Sequence, residues 1–410
     1  MIRAVKGTRD ILPPASGVWN HVEAVARRVF RAYNYREIRT PIFEETTLFA
    51  RGVGEETDIV SKEMYTFDDH GTSLTLRPEN TASVIRAWME HRLDQQPGLQ
   101  KLYYMGPMFR RERPQKGRYR QFYQIGAEVI GSESPATDAE VIEMVIRILL
   151  GVGLEGFQLL INSVGCAKCR AVFVAALRER LKDVAATMCS DCQRRAETNP
   201  LRVLDCKVPA DQPIIESLPS ILDSLDEGCR THFEAVKTYL TDLGIAFEVR
   251  PRLVRGLDYY TRTTFEIVHG SLGAQNSVLG GGRYDGLAEG LGSKVPGPGI
   301  GFSIGEDRLV MSVEDRFNGI DPVQLLIAPM GEAAYRHAAL LAREIRGKGI
   351  IVEIAADGKL KKSLELANKI GAQHTLIIGD NEIAAGVYAL KNMTSGEQTP
   401  VSREDLLNRF

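Results

Sequence analysis

The chain has 410 residues, 44% of them apolar and 25% charged, with a formal net charge of −2. These are ordinary values for a globular protein long enough for two or three domains with cores of their own. No run approaches the ~18 continuous apolar residues of a membrane span, and the near-neutral charge excludes a protein that coats nucleic acid, leaving any RNA contact to local patches.

The first residues, MIRAVKGTRDILPP, carry neither an apolar run nor a small-residue cleavage site, so a cytoplasmic location is expected. Val22, Val25, Ala26, Val29 and Phe30 recur at helical spacing within 19–33, and Glu37–Pro41 and Leu74–Leu76 read as short strands. Asn80–Arg92 reads as a helix with an apolar stripe of Ala82, Ile85, Trp88 and Met89. Asp138–Leu150 is a further helix with Asp138 placed for its N-cap. Gly151–Gly156 has the letters of a dinucleotide fingerprint, but a helix precedes it and the apolar strand Phe157–Ile161 follows, the reverse of the order that motif needs; it reads as a turn. Residues 166–240 are polar, helical and hold all six cysteines, like an insertion in a larger domain. Strand patterns return over 247–265, followed by a Gly-rich turn at Gly280–Gly282 and a helix entered at Ile304. The polar stretch 314–322 reads as a linker. Beyond it apolar strands at 323–328, 350–355 and 375–378 alternate with helices at 332–348 and 360–370, which predicts a small sheet flanked by helices.

The run Tyr103–Gly131 carries the most chemistry. Aromatic and branched residues at both ends predict two antiparallel strands. The loop between them holds Arg110, Arg111, Arg113, Lys116, Arg118 and Arg120 with few acids nearby. Packing does not account for such a loop; an anion does, and guanidinium groups recognise phosphate bidentately. The interleaved Phe109, Tyr119, Phe122 and Tyr123 offer faces on which a base can stack. Gln124 and Glu128, four apart on a strand, share one face. Arg255, among apolar neighbours in LVRGLD, is expected to be partly buried and to need an anion, with Asp258 and Glu266 as candidate protein partners.

The wording GPMFRRERPQKGRYRQFYQ resembles motif 2 of class II aminoacyl-tRNA synthetases, and of the histidyl-tRNA synthetase family in particular. LVRGLDYYTRTTFE (253–266) and GGGRYDGL (280–287) resemble that family's own signatures, while 37–67 is similar to motif 1 and GPGIGFSIGEDRL (297–309) to motif 3. The resemblance implies an α+β fold: an antiparallel class II core over 1–322, interrupted by the helical insertion 166–240, then an α/β anticodon-binding domain over 323–410. It implies ATP-dependent formation of histidyl-adenylate and transfer of histidine to tRNA(His), with Mg²⁺ accompanying ATP and a homodimer built through motif 1. Carried onto this chain, Arg110 and Arg255 would be the catalytic pair at the α-phosphate. Glu112, Phe122 and Arg308 would complete the ATP site with Arg110. Glu79, Thr81, Gln124, Glu128, Tyr259, Tyr260 and Tyr284 would bind histidine, and Arg113, Lys116 and Arg118 would meet the tRNA acceptor end. Three readings compete: a regulatory subunit of ATP phosphoribosyltransferase, which resembles this core but usually lacks the motif 2 arginines and the C-terminal domain; a zinc-bearing RNA-binding protein without catalysis; and a different class II synthetase, against which the GGGRYDGL and RGLDYY runs weigh.

Cysteine spacing raises a separate possibility. Cys166-x-x-Cys169 and Cys189-x-x-Cys192, 19 residues apart, fit one structural Zn²⁺ site closed by four thiolates. Cys206 is a possible substitute ligand, Cys229 reads as unrelated, and a set of free thiols is the alternative.

Overall fold

The computed structural model describes residues 2–55, 57–272, 276–317, 321–356 and 358–410; of the expected linker 314–322, residues 318–320 lie outside the described residues. The chain divides into two compact units, 1–319 and 320–410. No described helix is long and apolar enough to cross a membrane.

The first unit is built on an eight-stranded sheet. Its strands in chain order are β1 (Arg36–Glu37), β2 (Gln100–Phe109), β3 (Gln121–Ile130), β4 (Phe157–Ser163), β5 (Glu248–Val249), β6 (Thr261–His269), β7 (Ser277–Arg283) and β8 (Gly299–Gly305). Across the sheet the order is β1-β2-β3-β8-β7-β6-β4-β5. The short edge strands β1 and β5 pair in parallel, and every other neighbouring pair is antiparallel. The helices that matter most are α1 (Ala15–Ala32), α2 (Thr81–Glu90), α3 (Pro135–Gly151), α4 (Ala167–Val184), α5 (Ser190–Thr198), α6 (Glu227–Asp242) and α7 (Glu306–Val313).

Alternation along each strand gives the sheet two unlike faces. On one, Tyr103, Ile125, Ala127, Val129, Phe265, Ile267, Ile300, Phe302 and Ile304 form a single core with Val22, Val25, Ala26 and Phe30 of α1 and Ile142, Val145, Ile148 and Leu149 of α3. Phe30 stacks on Tyr103 with ring centroids 4.5 Å apart. On the other face the register sets Tyr104, Gly126, Ser303, Gly280 and Glu266 side by side across five strands, and Leu102, Glu128, Gly301, Gly282 and Thr264 in the next row. Gly280–Gly282, read from sequence as a turn, is therefore strand interior. Pairing on both sides holds it extended, and the missing side chains leave room above the sheet. The helix after β8 starts at Glu306 rather than Ile304, because Ile304 still pairs with Ile125.

Asp138 does not cap α3; Ser134 does, with Pro135 at the first helical position. Asp138 is instead a fully buried anion one turn in. Arg283 donates to it through Nε at 2.8 and 3.0 Å, and His232 Nε2 lies 2.9 Å from Oδ2. The Arg283 guanidinium also donates to the carbonyls of Ser132 and Ser134 and to Asp285. This knot ties the end of β7 to the starts of α3 and α6.

The insertion has a small core of its own, including Phe173, Leu177, Leu181, Leu204, Ile215 and Ile221, whereas Phe233, Val236 and Leu240 of α6 belong to the main core. The four cysteines expected in one zinc site are separated. Cys166 and Cys169 group with Asp226 and Cys229, and Cys189 and Cys192 with Cys206 and Asp211. The reason is that the intervening residues form the 18-residue helix α4, a rod of about 27 Å at 1.5 Å per residue, with one cysteine pair at its start and the other beyond its end. Cys229, read as unrelated, belongs to the first group, and Cys206 completes the second.

The second unit carries a mixed five-stranded sheet, in order β10-β9-β11-β12-β13, from β9 (Leu325–Pro329), β10 (Val352–Ile354), β11 (His374–Ile378), β12 (Val387–Asn392) and β13 (Gln398–Ser402). β9, β10 and β11 pair in parallel through helices α8 (Glu332–Arg346) and α9 (Leu360–Lys369), and the last two strands are antiparallel.

Removing one partner of a buried ion pair strands the other. Asp138→Ala is expected to cost about 3–5 kcal/mol, read as a lowered urea midpoint of the first unit; a loss below about 1 kcal/mol would mean that the knot contributes little.

Candidate active site

The glycine face of the sheet is the floor of a cavity of about 310 Å³, within the size range of small-molecule sites. Glu79, Thr81, Arg110, Glu112, Arg118, Phe122, Gln124, Glu128, Arg255, Tyr259, Tyr260, Tyr284 and Arg308 all line it. Of the residues assigned from the sequence to the ATP, histidine and tRNA sites, Arg113 and Lys116 do not. Tyr104, Ser303 and Asp307 line it without having been singled out. Tyr104 and Ser303 reach the cavity by facing Gly126 from β2 and β8, a register that the tertiary structure sets.

The floor is close-fitted. A Cβ on Gly301 would stand 1.7 Å from Glu128 Oε2, and one on Gly280 would stand 1.9 Å from an Arg255 guanidinium nitrogen. Glycine is what allows a carboxylate and a guanidinium to lie flat on the sheet. Arg255 is paired there with Glu266, its protein partner from the neighbouring strand.

At the acidic end, Glu79 accepts from the backbone N–H groups of Thr81 and Ala82 at 2.7 and 3.0 Å, at the N-terminus of α2. Burial holds its carboxyl above the ordinary range, and those two donors work against the rise. Glu128 Oε1 accepts from the Thr81 hydroxyl at 2.7 Å and the Tyr104 hydroxyl at 3.5 Å, and burial pushes the carboxyl up to about 8. Tyr259 sits against Tyr260 and Tyr284, with centroids 4.8 and 6.0 Å away, walling this end with rings.

The other end is cationic. Arg110 donates from Nε to the Pro78 carbonyl at 2.9 Å, and its guanidinium lies 5.2 Å from the Phe122 ring centroid. Glu112 lies 3.2 Å from Arg118 and 4.0 Å from Arg110. Arg308 donates to the carbonyls of Gly117 and Ser277 at 3.1 and 2.8 Å, which stitches the hairpin loop to β7. Its pKa is lowered first by burial and then by the charge of Arg118, with Glu112 and Glu266 acting in the opposite direction. Asp307 accepts from Arg9 and from the backbone of Tyr123, fixing the start of α7 beside β3. Gln124 Oε1, Glu128 Oε2 and Arg255 Nε, all buried, make no hydrogen bond within the protein. Buried polar atoms left in this way are positions for a ligand's donors and acceptors.

An antiparallel sheet, a basic hairpin arching over its polar face and an arginine in the first turn of the following helix define a class II aminoacyl-tRNA synthetase core. The histidyl-tRNA synthetase family model matches residues 7–309 and an anticodon binding domain model matches 324–410. The histidine–tRNA ligase of Solibacter usitatus is 73% identical over 100% of this chain and 99% of its own length. The apo histidyl-tRNA synthetase of S. aureus superposes with a TM-score of 0.83 at 40% identity, each chain covered in full. A Bacillus halodurans structure described as an ATP phosphoribosyltransferase regulatory subunit/histidyl-tRNA synthetase shares the fold at TM-score 0.69 and 21% identity, over 92% of this chain and 98% of its own. The chain belongs to the histidyl-tRNA synthetase family.

Glu128 gives the ligand-free protein a pH signature. Its carboxyl ionises near the ordinary 4.5 when unfolded and near 8 when folded, so the folded state holds the extra proton between those values and stability falls as pH rises through them. Glu128→Gln removes that loss. The variant should match the native chain near pH 4, gain on it by a few kcal/mol up to about pH 8, and hold a constant lead above. Urea midpoints measured across this range would refute the assignment if the difference did not change with pH.

Proposed function

We propose that this cavity activates histidine with ATP and then hands the histidyl group to tRNA(His). The observation that carries the reading is the polarity of one pocket, with buried carboxyl groups at one end, arginines at the other and a bare glycine floor between. Free histidine needs acceptors for its ammonium and imidazole and a cation for its carboxylate; ATP needs cations along its phosphates and a ring face for adenine.

In this reading Glu79, Thr81 and Gln124 hold the α-ammonium. Glu128 and Tyr260 take the two imidazole nitrogens, the free Glu128 Oε2 serving as acceptor, and Tyr259 and Tyr284 close around the ring. Phe122 stacks on adenine and Glu112 receives its amino group, releasing Arg118 for the acceptor end of the tRNA together with Arg113 and Lys116. Arg308 meets the terminal phosphate. Arg110 and Arg255 flank the α-phosphate. A histidine carboxylate oxygen bonds to the α-phosphorus while the bond to pyrophosphate breaks, and both arginines stabilise charge growing on the phosphoryl oxygens. A ribose hydroxyl of the tRNA 3′ end then attacks the adenylate carbonyl and AMP leaves. Among the described residues, no three acidic, histidine or cysteine ligands cluster in this cavity. Mg²⁺ would enter with ATP, neutralising phosphate charge. The 323–410 unit would read the anticodon, and the cytoplasm, where translation runs, is the expected location.

The test is histidine-dependent ATP–pyrophosphate exchange without tRNA. The native chain should exchange with histidine alone among the twenty amino acids, and Arg255→Ala or Arg110→Ala should each lower the rate about 100-fold or more. A folded protein that exchanges with none would favour the regulatory reading. Assembly as a homodimer through 37–67 is supported by a small three-stranded sheet (43–45, 65–69 and 72–76) that leaves Phe43 and Phe67 exposed. Sedimentation should give a dimer, weakened by Phe43→Glu; a monomer at micromolar concentration would refute it.

A further inference from the structure

The two cysteine groups of the insertion are built alike. Cys166 and Cys189 each occupy the N-cap of a helix, and Cys169 and Cys192 follow in the first turn. Asp226 and Cys229 repeat the same x-x spacing at the N-terminus of α6. Two helix N-termini thus converge on the first group. In each group three sulfurs and one carboxylate oxygen lie within 4.8 Å of one another. The sulfur–sulfur distances are 3.6 Å for Cys166–Cys169 and 3.8 Å for Cys189–Cys206, and the sulfur–oxygen distances are 3.3 Å for Cys166–Asp226 and for Cys206–Asp211.

Those lengths discriminate. A disulfide would bring sulfurs to about 2.05 Å. A tetrahedron with Zn–S of about 2.3 Å and Zn–O of about 2.0 Å has edges of about 3.8 Å between sulfurs and about 3.5 Å from sulfur to oxygen. Backbone N–H groups of Asp226 and Val208 also point at Cys169 Sγ and Cys206 Sγ, at 3.1 and 3.4 Å. Gly165 has a positive φ of 63°, and a Cβ there would meet that of Cys169 at 2.6 Å. The small core around these groups counts four cysteines among its fourteen buried residues, and a core that thin is commonly fastened by a metal or a disulfide.

We propose that the insertion binds two structural divalent metal ions of the zinc class, one on Cys166, Cys169, Cys229 and Asp226 and one on Cys189, Cys192, Cys206 and Asp211. Thiolate-rich tetrahedral sites select Zn²⁺ over Mg²⁺ or Ca²⁺. Four protein ligands close each site, so neither ion meets substrate. Their role is mechanical. Arg170, next to Cys169, donates to the carbonyls of Asp258 and Tyr260, and Arg202, four residues before Cys206, donates to that of Gly256. The insertion thereby grips the backbone of the loop that carries Arg255, Tyr259 and Tyr260, and the first metal fixes the helix start from which Arg170 reaches. The positioning role rests on the histidine-activation reading; the metal sites do not.

The test begins with metal analysis of the full chain, purified from zinc-supplemented cells and dialysed. About two equivalents of zinc per chain are expected, released when a mercurial blocks the thiols, with about one left in Cys166→Ser/Cys229→Ser and in Cys189→Ser/Cys206→Ser. A metal-free native chain with six freely reactive thiols overturns the proposal, and a single equivalent overturns it for the site whose variant loses nothing. Because this readout is stoichiometry, it stands whatever the exchange assay gives. For the positioning role, the first double variant should raise the KM for histidine about 10-fold; an unchanged KM in a chain that has lost that ion overturns it. Should the variant fail to fold, the same KM is measured on native chain stripped by mercurial and thiol, with the same two outcomes.

Discussion

The site depends on backbone laid bare. Charged side chains can lie along a sheet only where neighbouring strands contribute no Cβ, and here Gly126, Gly280, Gly282 and Gly301 clear adjoining rows on one face. The same strands carry the largest part of the apolar core on their other face. A slip of one residue would exchange the two faces, putting Glu128 into the core and Ile125 into the pocket. The core packing of Ile125, Phe302 and Phe265 therefore also fixes where the carboxylate and guanidinium stand.

With the side chains fixed, electrostatics divides the pocket. Burial raises Glu128 and Glu79 against ionisation, while Arg308 feels neighbouring cations. Within the pocket, single buried atoms of Gln124, Glu128 and Arg255 make no hydrogen bond. A ligand with a cationic head and an anionic tail relieves both ends at once. Preorganisation of this kind has a cost in stability, which the closed apolar core and the Asp138–Arg283 knot offset elsewhere.

Much of this was legible in the residues. Alternation predicted the hairpin at 103–131, and the spacing of Gln124 and Glu128 predicted a shared face, since period two is local geometry. What misled was local as well. Three consecutive glycines read as a turn when neighbours on both sides hold them extended. Asp138 read as a cap because its partners, Arg283 and His232, are 145 and 94 residues away. Of the two C-terminal strands that were missed, β13 is short, polar and largely exposed, with little hydrophobic pattern to read, whereas β12 does alternate, burying Tyr388 and Leu390.

By itself the sequence determined the periodicities, the basic hairpin, the motif wording that resembles one synthetase family and the two domains' characters, because each is written in contiguous residues. Only the tertiary structure decided which cysteines group, since a helix of fixed rise drives apart the two pairs that spacing alone would join. It alone decided that Arg255 lies over Gly280 and pairs with Glu266 of the adjoining strand, and that glycines far apart in the chain make one floor. Those contacts are set by strand register and helix length rather than by any local preference.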